Sequence, residues 1–267
     1  SEQSLQMFDC VSHLCLSGRE MVLLHVKGRD EEVTPRQRQQ IEKLISSAKE
    51  RGLDSRFILE EGDPVEIILR TARREGVSLI AMASSGKGKA REFLVGSTSL
   101  GVVRGSKIPV LIDKFQVLED DGAIRVRETC SDFLASAIVP LDFSSCQGPV
   151  LRVLQSLIDR GLEKAVLFHV VDSSRYRISD DTRFQQVKSD LGGIRKSMNA
   201  RDCELLTHIH FGSPVYNIVE VTREFAASLI VLGTHGKSLL HEMTLGSVSE
   251  EVIRKATVSM LIVPCQS

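Results

Sequence analysis

The chain repeats itself. Gly62-Asp63-Pro64-Val65 returns 150 residues later as Gly212-Ser213-Pro214-Val215. The same offset carries Ser78-Leu79-Ile80 onto Ser228-Leu229-Ile230, Gly86-Lys87 onto Gly236-Lys237, Gly96-Ser97 onto Gly246-Ser247 and Leu111-Ile112 onto Leu261-Ile262. About 18 of roughly 52 positions between residues 61 and 112 match their partners without a gap. Nearer the start the offset becomes 144, and His25-Val26 meets His169-Val170. A module used twice must solve the same burial problem twice, so the 267 residues stand for two similar domains rather than one large one.

Each half alternates short apolar runs with helical patterns. Residues 21–26 and 165–170, 79–83 and 229–232, and 110–112 and 260–263 are nearly continuous in apolar residues, as strands buried on both faces are. Between them, Asp63 is suited to cap a helix and Pro64 to open it. Val65, Ile68, Leu69 and Ala72 follow helical spacing, and Gly76 stops the run. Ser213, Pro214, Val215, Ile218, Val219 and Phe225 repeat the pattern. Residues 37–51 and 183–200 read as further helices, the second interrupted by Gly192-Gly193. Strands alternating with helices predict an α/β fold, each module a parallel, doubly wound, Rossmann-like sheet with right-handed crossovers and a ligand at the carboxyl ends of the strands. The division is expected at residues 1–118 and 137–267, with 119–136 as a connector holding the polar cluster Glu119-Asp120-Asp121-Gly122 and a short helix over 131–135.

One loop carries chemistry. The run Leu229-Ile230-Val231-Leu232 leads into Gly233-Thr234-His235-Gly236, nine residues follow, and Gly246-Ser247 opens a helical stretch. Glycines at a strand end allow close approach of a ligand, and a fresh helix N-terminus offers backbone N–H groups and a favourable dipole to an anion. Ser247 adds a hydroxyl, and His235 or Lys237 adds charge. Two commoner phosphate loops fail here. A P-loop needs Gly where Val231 stands, and a dinucleotide fingerprint begun at Gly86-Lys87-Gly88 needs Gly where Arg91 stands.

The combination G-x-x-G, nine residues, G-S, together with the strand Ala137-Ile138-Val139-Pro140-Leu141-Asp142-Phe143-Ser144 and its Pro-x-Asp-x-Ser ending, resembles the universal stress protein family, here as a tandem member. The resemblance spans both halves. It implies a five-stranded parallel sheet in each and an adenine nucleotide, ATP or AMP, in the second, with Mg²⁺ or Mn²⁺ able to accompany it. By position, Asp142 in the motif with Pro140 would contact the adenosine, Val170 would lie along the adenine and Leu232 against the nucleoside. Gly233 would face the ribose, and Gly236, Gly246, Ser247 and Val248 would line the phosphates. The resemblance also implies pairing of modules through their last strands, within one chain or in a homodimer.

The first module departs from this pattern. Ala83 replaces the first loop glycine, although Gly86, Gly96 and Ser97 remain. The added Cβ either crowds the ribose or blocks a required backbone angle. Ser1 aligns with Ser145, so the strand equivalent to 137–142 falls before residue 1, and a segment of about 8–12 residues is expected to be missing from the sequence. With it goes the counterpart of Asp142, leaving one competent site, in the second module.

Composition narrows the partners. Thirty-four basic against 35 acidic residues leave a net charge of −1, and aromatics are 4% with no Trp, which removes the bulk case for nucleic acid or an anionic membrane. No apolar run approaches the ~18 residues of a membrane span, and the first residues lack a signal-peptide pattern. Six cysteines without a C-x-x-C spacing fit a reduced, cytoplasmic setting, with Cys130 and Cys146 unreactive. His208 and His210 share one strand face, but no carboxylate stands near them in sequence, so an exposed face is expected rather than a metal site. His25 and His169 recur at matched strand ends, as packing or turn contacts do. No catalytic grouping can be assembled. The expectation is a stress-response binding or regulatory module in which nucleotide orders residues 233–246 and alters a surface that a partner reads. A slow ATP hydrolase or nucleotidyl-transfer enzyme and a scaffold that binds no nucleotide are the alternatives.

Overall fold

In a computed structural model the described residues are 7–8, 11, 20–28, 32–84, 95–114, 116–120, 123–127, 133–172, 181–236 and 245–265. The first half holds β1 (Glu20–Lys27), α1 (Pro35–Glu50), β2 (Asp54–Glu61), α2 (Pro64–Arg74), β3 (Ile80–Ala83), α3 (Ser97–Gly105) and β4 (Val110–Asp113). A hairpin of β5 (Gln116–Asp120) and β6 (Ala123–Arg127) follows. The second half holds β7 (Ser136–Pro140), α4 (Gln147–Ile158), β8 (Lys164–Val171), α5 (Asp181–Ser197), β9 (Glu204–Phe211), α6 (Pro214–Glu224), β10 (Leu229–Gly233), α7 (Ser247–Lys255) and β11 (Ser259–Val263).

The second module is one parallel sheet in the order β11-β10-β7-β8-β9. Strands β7, β8, β10 and β11 are largely apolar on both faces because both faces are covered. Val139, Leu167 and Val231 pack against Leu154 of α4 and Leu191 of α5, while Ile138, Val166 and Ile230 pack against Val221 of α6 and Ile253 of α7. The winding reverses between β7 and β10, which opens a crevice beyond their carboxyl ends. Beyond β11 the sheet continues into the first module. β4 lies antiparallel to β11, with Ile112 opposite Met260 and Leu111 opposite Leu261, and β3 completes a seven-stranded sheet. β1 and β2 pair in a separate two-stranded sheet. Among the described residues, no strand stands between β1 and β3, the place that β7 takes in the second module.

Local signals act as the residue types dictate. The Asp63 carboxylate accepts from the Glu66 amide at 2.9 Å, and Gly76 takes a φ of +62° after α2. Two expectations fail. Gly192-Gly193 do not interrupt α5, which runs unbroken from Asp181 to Ser197. Each glycine weakens a helix by only about 1 kcal/mol, less than burying Val187 and Leu191 returns. Nor is there a helix over the described part of 131–135. Residues 133–135 form a turn, and 131–132 lie outside the described residues. The expected connector instead contains most of the β5–β6 hairpin.

Lys114, just beyond β4, is fully buried at the seam between the modules, and its amide donates to Ser259 Oγ at 3.4 Å. Burial lowers its ammonium pKa from 10.5 to about 8. The unfolded chain therefore holds this proton more tightly between pH 8 and 10.5, so the penalty is full below pH 8 and fades as pH rises through that window. Urea denaturation should show stability rising by about 3 kcal/mol at most from this group, and the rise should vanish in Lys114→Met.

Candidate functional site

The crevice at the reversal point is a cleft of about 200 Å³. Three strand ends and one helix N-terminus build it. Pro140, Leu141 and Asp142 come from the end of β7, Val170 and Asp172 from β8, Leu232 and Gly233 from β10, and Gly246, Ser247 and Val248 from the start of α7. All nine residues singled out in the sequence line this one cleft: Pro140, Asp142, Val170, Leu232, Gly233, Gly236, Gly246, Ser247 and Val248.

The loop is held by a short set of bonds. The Thr234 amide donates to Val263 O at 2.9 Å, the Gly246 amide to Thr234 O at 2.8 Å, and Ser249 Oγ to Gly233 O at 2.8 Å. These fix Gly246 as the cap of α7, whose first amides have no partners within the helix. The first module repeats the set at the matched positions. Ser84 donates to Asp113 O at 2.8 Å, Gly96 to Ser84 O at 2.7 Å and Ser99 Oγ to Ala83 O at 3.1 Å. The loop framework thus survives without the first glycine. Gly86 and Lys87, like Lys237 in the second module, lie outside the described residues.

Asp142 is held over the loop. Its Oδ1 accepts from the Ser144 amide at 3.1 Å, and the intervening Phe143 takes a φ of +58°, a conformation that costs a residue with a Cβ about 1–2 kcal/mol. His169 steadies the same turn, donating Nδ1–H to Leu141 O at 2.6 Å with its ring 4.8 Å from that of Phe143. The glycines leave space that a side chain would take. A Cβ on Gly236 would stand 2.6 Å from Asp142 Oδ2, and one on Gly233 would stand 3.0 Å from Cys146 Cβ. Gly233 does not use a left-handed φ, so of the two penalties considered for Ala83 the backbone angle is not the one at issue.

Three features escaped the sequence. Arg183, the third residue of α5, lines the cleft and brings a cation to it. Cys146 is not a free thiol, because its sulfur is bonded to that of Cys265 across a separation of 119 residues, with Cα atoms 4.6 Å apart. That pair sits directly behind Gly233 and Thr234, and Cys265 donates its amide to Thr234 Oγ1 at 3.2 Å. His208 and His210 do have a carboxylate beside them, that of Glu224 at the end of α6. Burial, and then His210, lower the His208 pKa. Only the last of the three had any sequence signal, in the alternating histidines. Arg183 and the cysteine pair required the crossovers to be known.

A family model described as the universal stress protein family matches residues 14–114 and 136–264. Universal stress protein MJ0577 of Methanocaldococcus jannaschii is 24% identical over 149 residues, which cover 47% of this chain and 92% of that protein. Universal stress protein YxiE of Bacillus subtilis is 31% identical over 136 residues, covering 42% of this chain and 91% of its own. Each is thus about the size of one module. The crystal structure of a universal stress protein from Archaeoglobus fulgidus matches both halves, with a TM-score of 0.64 and 25% identity over 99% of this chain and 93% of that one. No described helix is long and apolar enough to cross a membrane.

Proposed function

This chain belongs to the universal stress protein family, and from that premise we propose that its second module binds one adenine nucleotide, ATP or AMP, as the sensing element of a cytoplasmic stress-response module. The observation that carries the proposal is the packing of Gly236 against the Asp142 carboxylate, which joins the strand end to the glycine loop in a cradle that a Cβ would fill. The chemistry of the lining divides in the same way as a nucleotide. Val170, Leu232, Pro214 and Ile218 offer an apolar wall for the adenine, and Asp142 an acceptor for the adenosine. Gly233 leaves room for the ribose. Gly236, Gly246, Ser247 and Val248 present loop backbone and the N-terminus of α7 to phosphates, with Arg183 as counter-charge. A divalent cation arriving with ATP, Mg²⁺ or Mn²⁺, would be carried by the phosphates.

Occupancy is the proposed output: a bound nucleotide favours one state of the cleft, and a partner reads the difference. The antiparallel register of β4 and β11 supports pairing of the two modules within one chain through their last strands. A division at 1–118, 119–136 and 137–267 belongs to the same proposal. The test is mass analysis of small molecules released on denaturing the purified chain, followed by calorimetric titration with ATP and AMP. The expected result is one equivalent per chain. No adenine nucleotide and no heat on titration overturns the proposal, and two equivalents overturn its restriction to the second module.

A further inference from the structure

A second cluster lies on the flank of the same module, on β9, one of the two edge strands of the seven-stranded sheet. His208 and His210 project from one face of that strand, and their Nε2 atoms stand 2.9 Å apart. Asn217, on α6, fixes their protonation. Its Nδ2 donates to Ser213 O at 2.9 Å and to Phe211 O at 3.3 Å, so its Oδ1 is the atom that faces His210 Nδ1 at 3.1 Å. An oxygen there can only accept. His210 therefore carries its proton on Nδ1, and the lone pair of its Nε2 accepts from His208 Nε2–H. This is the arrangement of a metal-binding imidazole, whose second nitrogen donates to an oxygen that sets tautomer and ring orientation.

The other parts of a ligand set are present. α6 ends at Glu224, and one oxygen of its carboxylate lies within 4.8 Å of a ring nitrogen of each histidine. The rings are held by aromatic neighbours. Phe168 stacks on His208 at 6.0 Å and meets His210 edge-on at 5.6 Å, and Phe225 meets His208 edge-on at 5.2 Å. Two nitrogens each about 2.0–2.1 Å from a tetrahedral zinc are about 3.4 Å apart. The histidine pair stands near that spacing, and a metal would take the place of the proton shared between the rings, with His208 moving its proton from Nε2 to Nδ1. Two imidazoles and one carboxylate suit zinc, copper, nickel or iron, and leave coordination positions open on the solvent side, where Glu224 is exposed.

We propose that His208, His210 and Glu224 form a binding site for a first-row divalent transition metal, oriented by Asn217 and separate from the phosphate end of the nucleotide cleft. The full chain, stripped with a chelator and kept oxidised so that Cys146 and Cys265 stay bonded, is titrated with Zn²⁺ in the absence of nucleotide. One equivalent should bind. Its affinity should fall at least about tenfold in Glu224→Gln, an exposed position whose change leaves the fold intact, and be lost in His208→Gln/His210→Gln. It should be unchanged in Cys146→Ser. With Cu²⁺ as the probe, the electron spin resonance spectrum should show two imidazole nitrogens. Zn²⁺ uptake unaltered by Glu224→Gln and by the double histidine variant overturns the proposal, as does uptake that disappears with Cys146→Ser instead.

Discussion

Gly236→Ala should weaken nucleotide binding about ten- to a hundredfold while leaving the fold intact. The new methyl group would stand 2.6 Å from Asp142 Oδ2, so the carboxylate has to turn away. Turning breaks its bond with the Ser144 amide, and a hydrogen bond to a charged group is worth about 1.5–3 kcal/mol. It also moves the acceptor proposed for the adenosine and fills space proposed for a phosphate, so both ends of the ligand suffer. A double-mutant cycle isolates the cause. In an Asp142→Ala background the methyl group has nothing to strike, and the further loss on adding Gly236→Ala should fall to about threefold or less. Calorimetric titration of the four proteins reads the cycle, and a thermal midpoint within a few degrees of the parent shows that the fold has held.

This site was legible in the sequence to the extent that its residues are neighbours along the chain or copies across the repeat. Gly233, Gly236, Gly246 and Ser247 announce a loop between a strand and a helix, and the apolar runs before them announce the strand. Asp142 entered through the resemblance of its Pro-x-Asp-x-Ser ending, and the structure adds why a glycine must oppose it. What stayed hidden depends on crossovers. Arg183 opens a helical run in the sequence, and only the packing of α5 beside β8 brings it to the cleft. Cys146 and Cys265 carry no spacing signal because 119 residues separate them. Glu224 reaches His208 because α6 runs back along β9, which periodicity alone does not place. Gly192-Gly193 misled for the opposite reason: a local preference was given more weight than the burial that overrides it.

The seam between the modules has the next largest expected effect. β3 and β4 reach the rest of the sheet through the pairing of β4 with β11, where Leu111 faces Leu261 and both are buried. Leu111→Asp removes an apolar side chain worth about 2–5 kcal/mol in such a place, and leaves a carboxyl group whose burial without a partner costs about 1–3 kcal/mol more. A loss of about 3–8 kcal/mol is of the order of a whole domain's stability, so the seam should open. The second module keeps all five of its own strands, from β7 to β11, and both of its helical layers. Limited proteolysis should therefore cut the first half of the Leu111→Asp chain quickly and spare the second. ATP affinity should stay within about threefold of the parent, because among the described residues the cleft draws no lining from the first module. Leu59→Asp provides the control. That residue lies on β2 with 44% of its surface already exposed, and a carboxylate there should shift stability by no more than about 0.5 kcal/mol. Loss of ATP binding in step with opening of the seam would mean instead that the two modules fold as one cooperative unit, with the first acting as a support for the sheet on which the second builds its site.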